Sequence, residues 1–134
     1  MEVIVLAGGF GTRLHPVTHD RYPKCLASVA GKPFLHHVLK HLLSQGVTRY
    51  IFALSHHADQ VITDIETHYS HLACTYSVEH TPLGTGGAIK QALQLCTHQY
   101  VLVVNADTYV DFNLAALVQL TQGCLLYTSD AADD

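Results

Sequence analysis

A repeated alternation of short apolar runs with longer amphipathic segments constrains this chain more than any other feature. Short apolar runs bounded by turn residues predict strands, and apolar residues spaced at i, i+3 and i+4 predict helices. Strands that alternate with helices form βαβ units, so we expect an α/β fold with a mostly parallel sheet covered on both faces. The predicted strands are Val3–Ala7, Tyr50–Leu54, Cys74–Val78 and Tyr100–Val104, and the predicted helices are Phe34–Leu43, Ala58–Tyr69, Thr85–Leu95 and one that begins within Leu114–Leu120.

Three of the predicted helices have an apolar face, which in Phe34–Leu43 consists of Phe34, Leu35, Val38, Leu39, Leu42 and Leu43. Val61, Ile62 and Ile65 form it in the helix that follows the second strand. In the helix that follows the third strand, the residues expected to be buried are Ala88, Ile89, Ala92 and Leu93.

Length and composition indicate one domain with a substantial core. The chain has 134 residues, of which 49% are hydrophobic and 13% charged. No stretch approaches the roughly 18 apolar residues of a membrane span, and no basic leader precedes the first apolar run, so we expect a cytoplasmic protein without a membrane partner.

The cysteines and histidines do not form a recognisable metal or disulfide motif. The four cysteines are widely spaced without a C-x-x-C pair, which favours reduced, mostly buried thiols. The eleven histidines include the adjacent pairs His36–His37 and His56–His57, whose members point in different directions on a helix or strand. We interpret the histidines as ordinary surface or core residues.

The last eleven residues differ in character from the rest of the chain. Residues 124–134 resemble the translation of a transposon-type sequencing adapter, and such segments are excluded from fold reasoning. We therefore expect a natural domain portion at 1–123 and an artefactual tail at 124–134. Without the three aspartates of the tail, eight acidic residues oppose seven basic ones, so the charge balance does not indicate a nucleic-acid partner.

Ligands of parallel α/β sheets bind at the carboxyl ends of the strands, near a switch point in strand order. In this chain unusual residues follow the first, third and fourth predicted strands. After the first comes the segment from Leu6 to Leu14, L-A-G-G-F-G-T-R-L. Its glycines permit positive φ and close backbone approach, its successive N–H groups suit an anion, and Arg13 suits phosphate.

Two familiar phosphate loops do not fit this segment. A dinucleotide fingerprint G-x-G-x-x-G that began at Gly9 would need glycine or alanine where Leu14 stands, and a Walker loop would need Gly-Lys-Ser/Thr. The missing ribose-binding acid after the second strand also disfavours a Rossmann dehydrogenase.

The motif L-A-G-G-x-G-T-R-L, followed about ten residues later by Pro23-Lys24, resembles the signature of sugar-phosphate nucleotidyltransferases. That resemblance implies a Rossmann-like three-layer sandwich of the nucleotidyltransferase A type, truncated here, with strand order 3-2-1-4 in the part present. It also implies catalytic roles for Arg13 and Lys24 on the phosphates. For the first loop, the resemblance implies nucleotide-binding roles for Leu6, Ala7, Gly8, Gly9, Gly11, Thr12 and Arg13. Cys25 stands where most members have proline.

The segments after the third and fourth strands extend the resemblance. Glu79 to Ala88, E-H-T-P-L-G-T-G-G-A, is similar to the family segment that packs against the nucleobase, which implies nucleotide-binding roles for Glu79, Pro82, Gly84 and Thr85. A carboxylate only accepts hydrogen bonds, so Glu79 favours guanine, which offers adjacent donors. Asp107 matches the metal-binding aspartate of the family, and Mg²⁺ is the implied cofactor because it prefers hard oxygen ligands.

Together these matches imply transfer of a nucleotidyl group from a nucleoside triphosphate, with GTP favoured, to a sugar 1-phosphate. Such a reaction would yield an NDP-sugar for surface polysaccharide precursors and pyrophosphate. Within the family, Gly84–Ala88 and the segment from Asn105 to Tyr109 are most similar to the D-glycero-D-manno-heptose 1-phosphate guanylyltransferase group, with mannose 1-phosphate guanylyltransferases next. The alternatives are a uridylyl- or thymidylyltransferase of the same family and a non-catalytic nucleotide-sensing domain. The sugar and the oligomeric state are not determined by this sequence.

Overall fold

The computed structural model describes residues 1–8, 23–55, 57–81, 83–98, 100–106 and 126–128. They form a five-stranded sheet in which every pair of neighbouring strands is parallel, with the order β5-β4-β1-β6-β7. Its strands are β1 (Glu2–Leu6), β4 (Arg49–Leu54), β5 (Ala73–Val78), β6 (Val101–Asn105) and β7 (Leu126–Thr128). A separate antiparallel ribbon pairs β2 (Ser28–Val29) with β3 (Lys32–Pro33) and follows a 3-10 turn at Lys24–Leu26.

Among the described residues, three helices cover the sheet: α1 (Phe34–Ser44), α2 (Ala58–His68) and α3 (Gly84–Leu93). β1 alternates between the two faces, since Val3 and Val5 pack with apolar residues of α1 and α2 whereas Ile4 packs with Ala92 of α3. All three of these β1 side chains are fully buried. Burial on both faces explains why β1 is a near-continuous apolar run, and the predicted three-layer α/β sandwich is confirmed.

The predicted strand order 3-2-1-4 is also confirmed, because the four predicted strands correspond to β1, β4, β5 and β6 in chain order. Each of these strands lies within one residue of its predicted bounds. The predicted helix near Leu114–Leu120 lies outside the described residues. Within the described part of the chain, no helix is long and apolar enough to cross a membrane.

One face prediction for α3 was wrong. Ala92 is fully buried and Ala88 and Ile89 are half-buried, but Leu93 is 39% exposed, and the helix ends there rather than at Leu95. At about 100° per residue, Leu93 lies at the border of the stripe that faces the sheet. The apolar pattern therefore identified the face correctly and overestimated its width.

The far edge of β6 also differs from expectation. Because residues 124–134 were excluded from fold reasoning, no strand was predicted there to pair with β6 on the side away from β1. Instead β7 pairs with it in parallel, with Val101 opposite Leu126 and Val103 opposite Thr128. Tail residues therefore cover three of the five residues on that edge.

The cysteines match the prediction in part. Cys25 is buried, Cys74 and Cys96 are half-buried, and none of these three forms a disulfide. Burial raises the pKa of the Cys74 thiol to about 11, which disfavours the reactive thiolate. Cys124 lies outside the described residues.

A buried carboxylate fixes the start of the central strand. Glu2 is 0% exposed, and its Oε1 accepts hydrogen bonds from the N–H groups of Thr97 (2.7 Å) and His98 (2.6 Å). Arg49 Nε lies 3.4 Å from Glu2 Oε2. Burial by itself would raise the pKa of Glu2, but the hydrogen bonds from His98 and Thr97 outweigh it, so the pKa lies below its ordinary value. This network links β1, β4 and the segment that leads into β6.

Candidate active site at the carboxyl edge of the sheet

The carboxyl end of β1 is hydrogen-bonded to the strands or strand ends on both sides of it. Leu6 lies opposite Ala53 of β4 and Asn105 of β6. Beyond it, the Ala7 N–H donates to the Ala53 carbonyl at 2.9 Å, and the Ala106 N–H donates to the Leu6 carbonyl at 2.9 Å. The backbone that leads into the glycine-rich segment is therefore fixed on both sides.

Gly8 is the first glycine of that segment, and it lies against the end of β4. A Cβ at this position would come within 3.0 Å of Ser55 Oγ and 3.2 Å of Ser55 N. The Ser55 hydroxyl donates a hydrogen bond to the Gly8 carbonyl. An added Cβ would therefore require Ser55 to shift by a few tenths of an ångström, so glycine suits this close approach.

Several predicted site residues lie outside the described part of the chain: Gly9, Gly11, Thr12, Arg13, Pro82 and Asp107. Lys24 begins the 3-10 turn after Pro23, but its side chain is likewise outside that part. Asp107 directly follows Ala106, whose N–H is bonded to β1. Roles for these residues remain predictions from the sequence.

Glu79 begins the loop that leads from β5 to α3. Its N–H donates to the Leu54 carbonyl at 2.8 Å, which ties the loop to the end of β4. Its Oε2 accepts a hydrogen bond from the Leu83 N–H at 3.1 Å, so the carboxylate also closes its own loop. A carboxylate has about four acceptor positions, so this bond leaves capacity for a ligand donor.

The N-terminus of α3 is open to solvent. Gly84 has a φ of +73°, which favours glycine, and Gly84, Thr85 and Gly86 are all exposed. No side chain caps the helix at Leu83. The first N–H groups of a helix have no intrahelical partner and carry partial positive charge, so this end suits an anion or a polar ligand edge.

Gly87 has a packing role that the sequence pattern did not reveal. A Cβ there would lie 2.7 Å from the Leu83 Cβ, whereas a Cβ at the neighbouring Gly86 would meet nothing within 4 Å. The two adjacent glycines therefore differ in function, and Gly87 permits the loop to fold back on the helix.

The topology brings these segments to one edge. β1 lies between β4 and β6, so strands added after β1 extend the sheet first on one side of it and then on the other. This reversal of strand order creates a switch point at the carboxyl end of β1. That is the position at which α/β sheets bind ligands. The loop after β5 is two strands away from β1, and the Leu54 and Ser55 contacts across β4 connect the two.

The family model described as Nucleotidyl transferase matches residues 2–123. The chain belongs to the nucleotidyl transferase family. The match covers β1 to β6 and ends before β7.

Two curated relatives of this nucleotidyl transferase chain are D-glycero-alpha-D-manno-heptose 1-phosphate guanylyltransferases. The protein of Aneurinibacillus thermoaerophilus is 39% identical over 108 residues, which is 81% of this chain and 46% of that protein. The protein of Campylobacter jejuni is 37% identical over 117 residues, covering 87% of this chain and 52% of that protein. The chain thus spans about half the length of these relatives.

Solved structures agree on the fold. The crystal structure of HddC from Yersinia pseudotuberculosis, complexed with GMP-PN, superposes with a TM-score of 0.81 at 37% identity and covers 90% of this chain and 53% of that chain. A putative glucose-1-phosphate thymidylyltransferase from Bacillus anthracis superposes with a TM-score of 0.79 at 22% identity, covering 92% of this chain and 50% of that chain. The latter likeness supports the fold alone.

Proposed function

We propose that this chain forms the nucleotide-binding half of an enzyme that transfers a guanylyl group from GTP to a sugar 1-phosphate. The observation that carries the proposal is the convergence of the β1, β5 and β6 exits on one edge at the switch point. Identity of 37–39% to heptose 1-phosphate guanylyltransferases supports this substrate class. The product would be a GDP-sugar, an activated donor for surface polysaccharide synthesis, and the location would be cytoplasmic, where such charged substrates are made.

In the proposed reaction, an ionised oxygen of the sugar 1-phosphate attacks the α-phosphorus of GTP in line. The new phosphorus–oxygen bond forms as the α–β anhydride bond breaks, and pyrophosphate leaves with the bonding electrons. An ionised phosphate needs no general base. The protein then mainly positions the reactants and neutralises charge.

The chain's own groups would divide this work. The backbone N–H groups of the glycine loop and Arg13 would bind the β- and γ-phosphates, and Lys24 would offset charge on the transferred phosphate. The carboxylate of Glu79 and the open end of α3 would receive the nucleobase. Gly8, whose carbonyl oxygen accepts a hydrogen bond from the Ser55 hydroxyl, would hold the start of the phosphate loop.

Mg²⁺ would be the metal that suits Asp107, which follows the end of β6 by two residues. Asp107 supplies hard carboxylate oxygens, and the hydrogen bond from Ala106 to Leu6 holds the preceding residue at the same edge as the glycine loop. When bound, the ion would neutralise negative charge on the phosphates. Asp107 would hold it there.

Pyrophosphate release tests the proposal. The full-length product of the gene is mixed with Mg²⁺, a heptose or mannose 1-phosphate, and GTP, UTP, dTTP or CTP in turn. GTP-dependent release is expected, lost in Asp107→Asn and reduced roughly 10²–10³-fold in Arg13→Ala. Preference for UTP or dTTP would assign a uridylyl- or thymidylyltransferase. Nucleotide binding without release from any triphosphate would favour a sensing domain.

Glu79→Gln tests base recognition separately from the chemistry. Glutamine keeps a carbonyl acceptor for the Leu83 N–H but adds donors, which suits a pyrimidine edge better than guanine. Preference should move from GTP toward UTP or dTTP in competition assays. An unaltered preference would show that Glu79 only closes its loop.

A further inference from the structure

Two histidines and an aspartate converge between α1 and α2, outside the loops of the proposed nucleotide site. Asp64 and His68 are four residues apart on α2, a spacing that places side chains on the same helix face. His36 reaches them from the first turn of α1. One nitrogen from each histidine and one carboxylate oxygen all lie within 4.8 Å of one another.

The contacts within this cluster are polar, and His68 Nδ1 also lies 3.0 Å from the main-chain carbonyl oxygen of Asp64. His36 Nε2 lies 2.6 Å from Asp64 Oδ2, and His68 Nδ1 lies 3.3 Å from Asp64 Oδ1. Tetrahedral zinc with bonds of about 2.0–2.1 Å would hold its ligand atoms about 3.3 Å apart. To bind such an ion, His36 Nε2 and the Asp64 carboxylate oxygen must therefore move apart by less than about 1 Å. The exposed His68 side chain must also rotate to bring its ring nitrogen closer to the other two ligand atoms.

Burial within the cluster is graded in a way that suits an ion exchanging with solvent. The side chains of His36 and Asp64 are 11% and 14% exposed, whereas that of His68 is 53% exposed. The ring of Tyr69 packs edge-on against His36 at 5.2 Å between centroids. His36 and Asp64 are thus held in place, whereas the His68 side chain can rotate away into solvent. A depression of about 420 Å³ lies beside Asp64 and His68.

We propose that His36, Asp64 and His68 form a binding site for a divalent transition-metal ion of the zinc class. His36 Nε2, one Asp64 carboxylate oxygen and His68 Nδ1 are the ligands, and water completes the tetrahedron on the exposed side. Two imidazole nitrogens favour such ions over Mg²⁺, which prefers an all-oxygen shell. Because the ligands come from both α1 and α2, the bound ion links the helices that cover one face of the sheet.

The probe is Zn²⁺, titrated calorimetrically into the metal-free 134-residue chain in excess Mg²⁺. One site per chain is expected, and saturation should raise Tm by several degrees because the ion binds the folded state. His68→Ala removes an exposed ligand at little risk to the fold, and Asp64→Asn keeps a hydrogen-bond acceptor for His36. Each should weaken Zn²⁺ binding by at least about 100-fold, because even the loss of an outer-shell partner of a metal ligand costs about 10–100-fold.

His71→Ala is the matched control, since His71 is exposed just beyond α2 and does not belong to the cluster. It should retain wild-type affinity and the same shift in Tm. Co²⁺ in place of Zn²⁺ should give a visible spectrum without the strong near-ultraviolet band of thiolate ligation, which separates this site from the cysteines. Wild-type Zn²⁺ affinity in His68→Ala and Asp64→Asn, or failure of the wild-type chain to bind Zn²⁺, would show that the cluster is only a hydrogen-bonded Asp–His pair.

Discussion

At the scale of single residues, the contacts that matter most join positions far apart in sequence. Ser55 reaches Gly8 across 47 residues, and Glu2 accepts hydrogen bonds from residues 95 and 96 positions away. Neither hydrophobic periodicity nor a sequence motif predicts such long-range pairs. Gly8 could be predicted from its motif, but its partner and the physical reason for glycine could not.

Gly8→Ala should destabilise the chain by about 1–3 kcal/mol, because the new methyl group would press on Ser55 Oγ and on the Ser55 backbone. Urea unfolding measures the effect. In the background of Ser55→Ala, the same substitution should cost less, since the nearest contact, with Ser55 Oγ, is removed. Equal unfolding midpoints for Gly8→Ala and wild type would contradict the close approach.

Glu2→Gln should lower the free energy of unfolding at neutral pH by about 1–3 kcal/mol, because a buried charge-assisted network is weakened. The pKa of Glu2 is lowered in the folded state from its ordinary value of 4.5, so its stabilisation is present above 4.5 and is lost as the pH falls through the folded pKa. The two unfolding curves should therefore converge in acid. A gap that stays constant from about pH 5 downward would argue against this carboxylate as the cause.

At the scale of elements, the sequence was most informative where one face or both faces of an element are apolar. β1, β4 and β6 are buried apolar runs, and their predicted bounds agree with the structure to one residue. The width of the buried face of α3 was less predictable, because burial of Leu93 depends on how the helix sits on the sheet. The convergence of His36 with Asp64 and His68 was not foreseen either, since it depends on the packing of two helices.

The start of α3 offers a matched pair of substitutions. The Cβ added by Gly86→Ala would have no atom within 4 Å. This substitution should stabilise the helix by about 0.5–1 kcal/mol, because alanine loses less backbone entropy than glycine on folding. Gly87→Ala would bring its methyl group to 2.7 Å from the Leu83 Cβ, displacing a residue whose N–H is bonded to Glu79. We expect Gly87→Ala to be the less stable of the two by at least about 1 kcal/mol, measured by urea unfolding. Similar midpoints for both variants would show that Leu83 moves without cost.

At the scale of the whole molecule, fold and family were predictable because the strand order and the edge at which the loops meet follow from βαβ connections and a specific motif. Arg13 and Asp107, which the family resemblance also predicted as site residues, lie outside the described residues. The chain also spans about half the length of its guanylyltransferase relatives.

The C-terminal tail bears on whether the outer edge of β6 can pair with other chains, because β7 lies in the tail. β6 contributes V-L-V-V, an apolar run without charge or proline, and such an edge templates association when it has no partner. β7 covers part of that edge. Deletion of residues 126–134 should therefore increase self-association, whereas deletion of 129–134, which leaves β7 in place, should not. Size-exclusion chromatography over a range of concentrations compares the two with the intact chain. Identical elution of both deletions would mean that Leu126–Thr128 contributes nothing to edge protection, and that the tail is dispensable as its sequence had suggested.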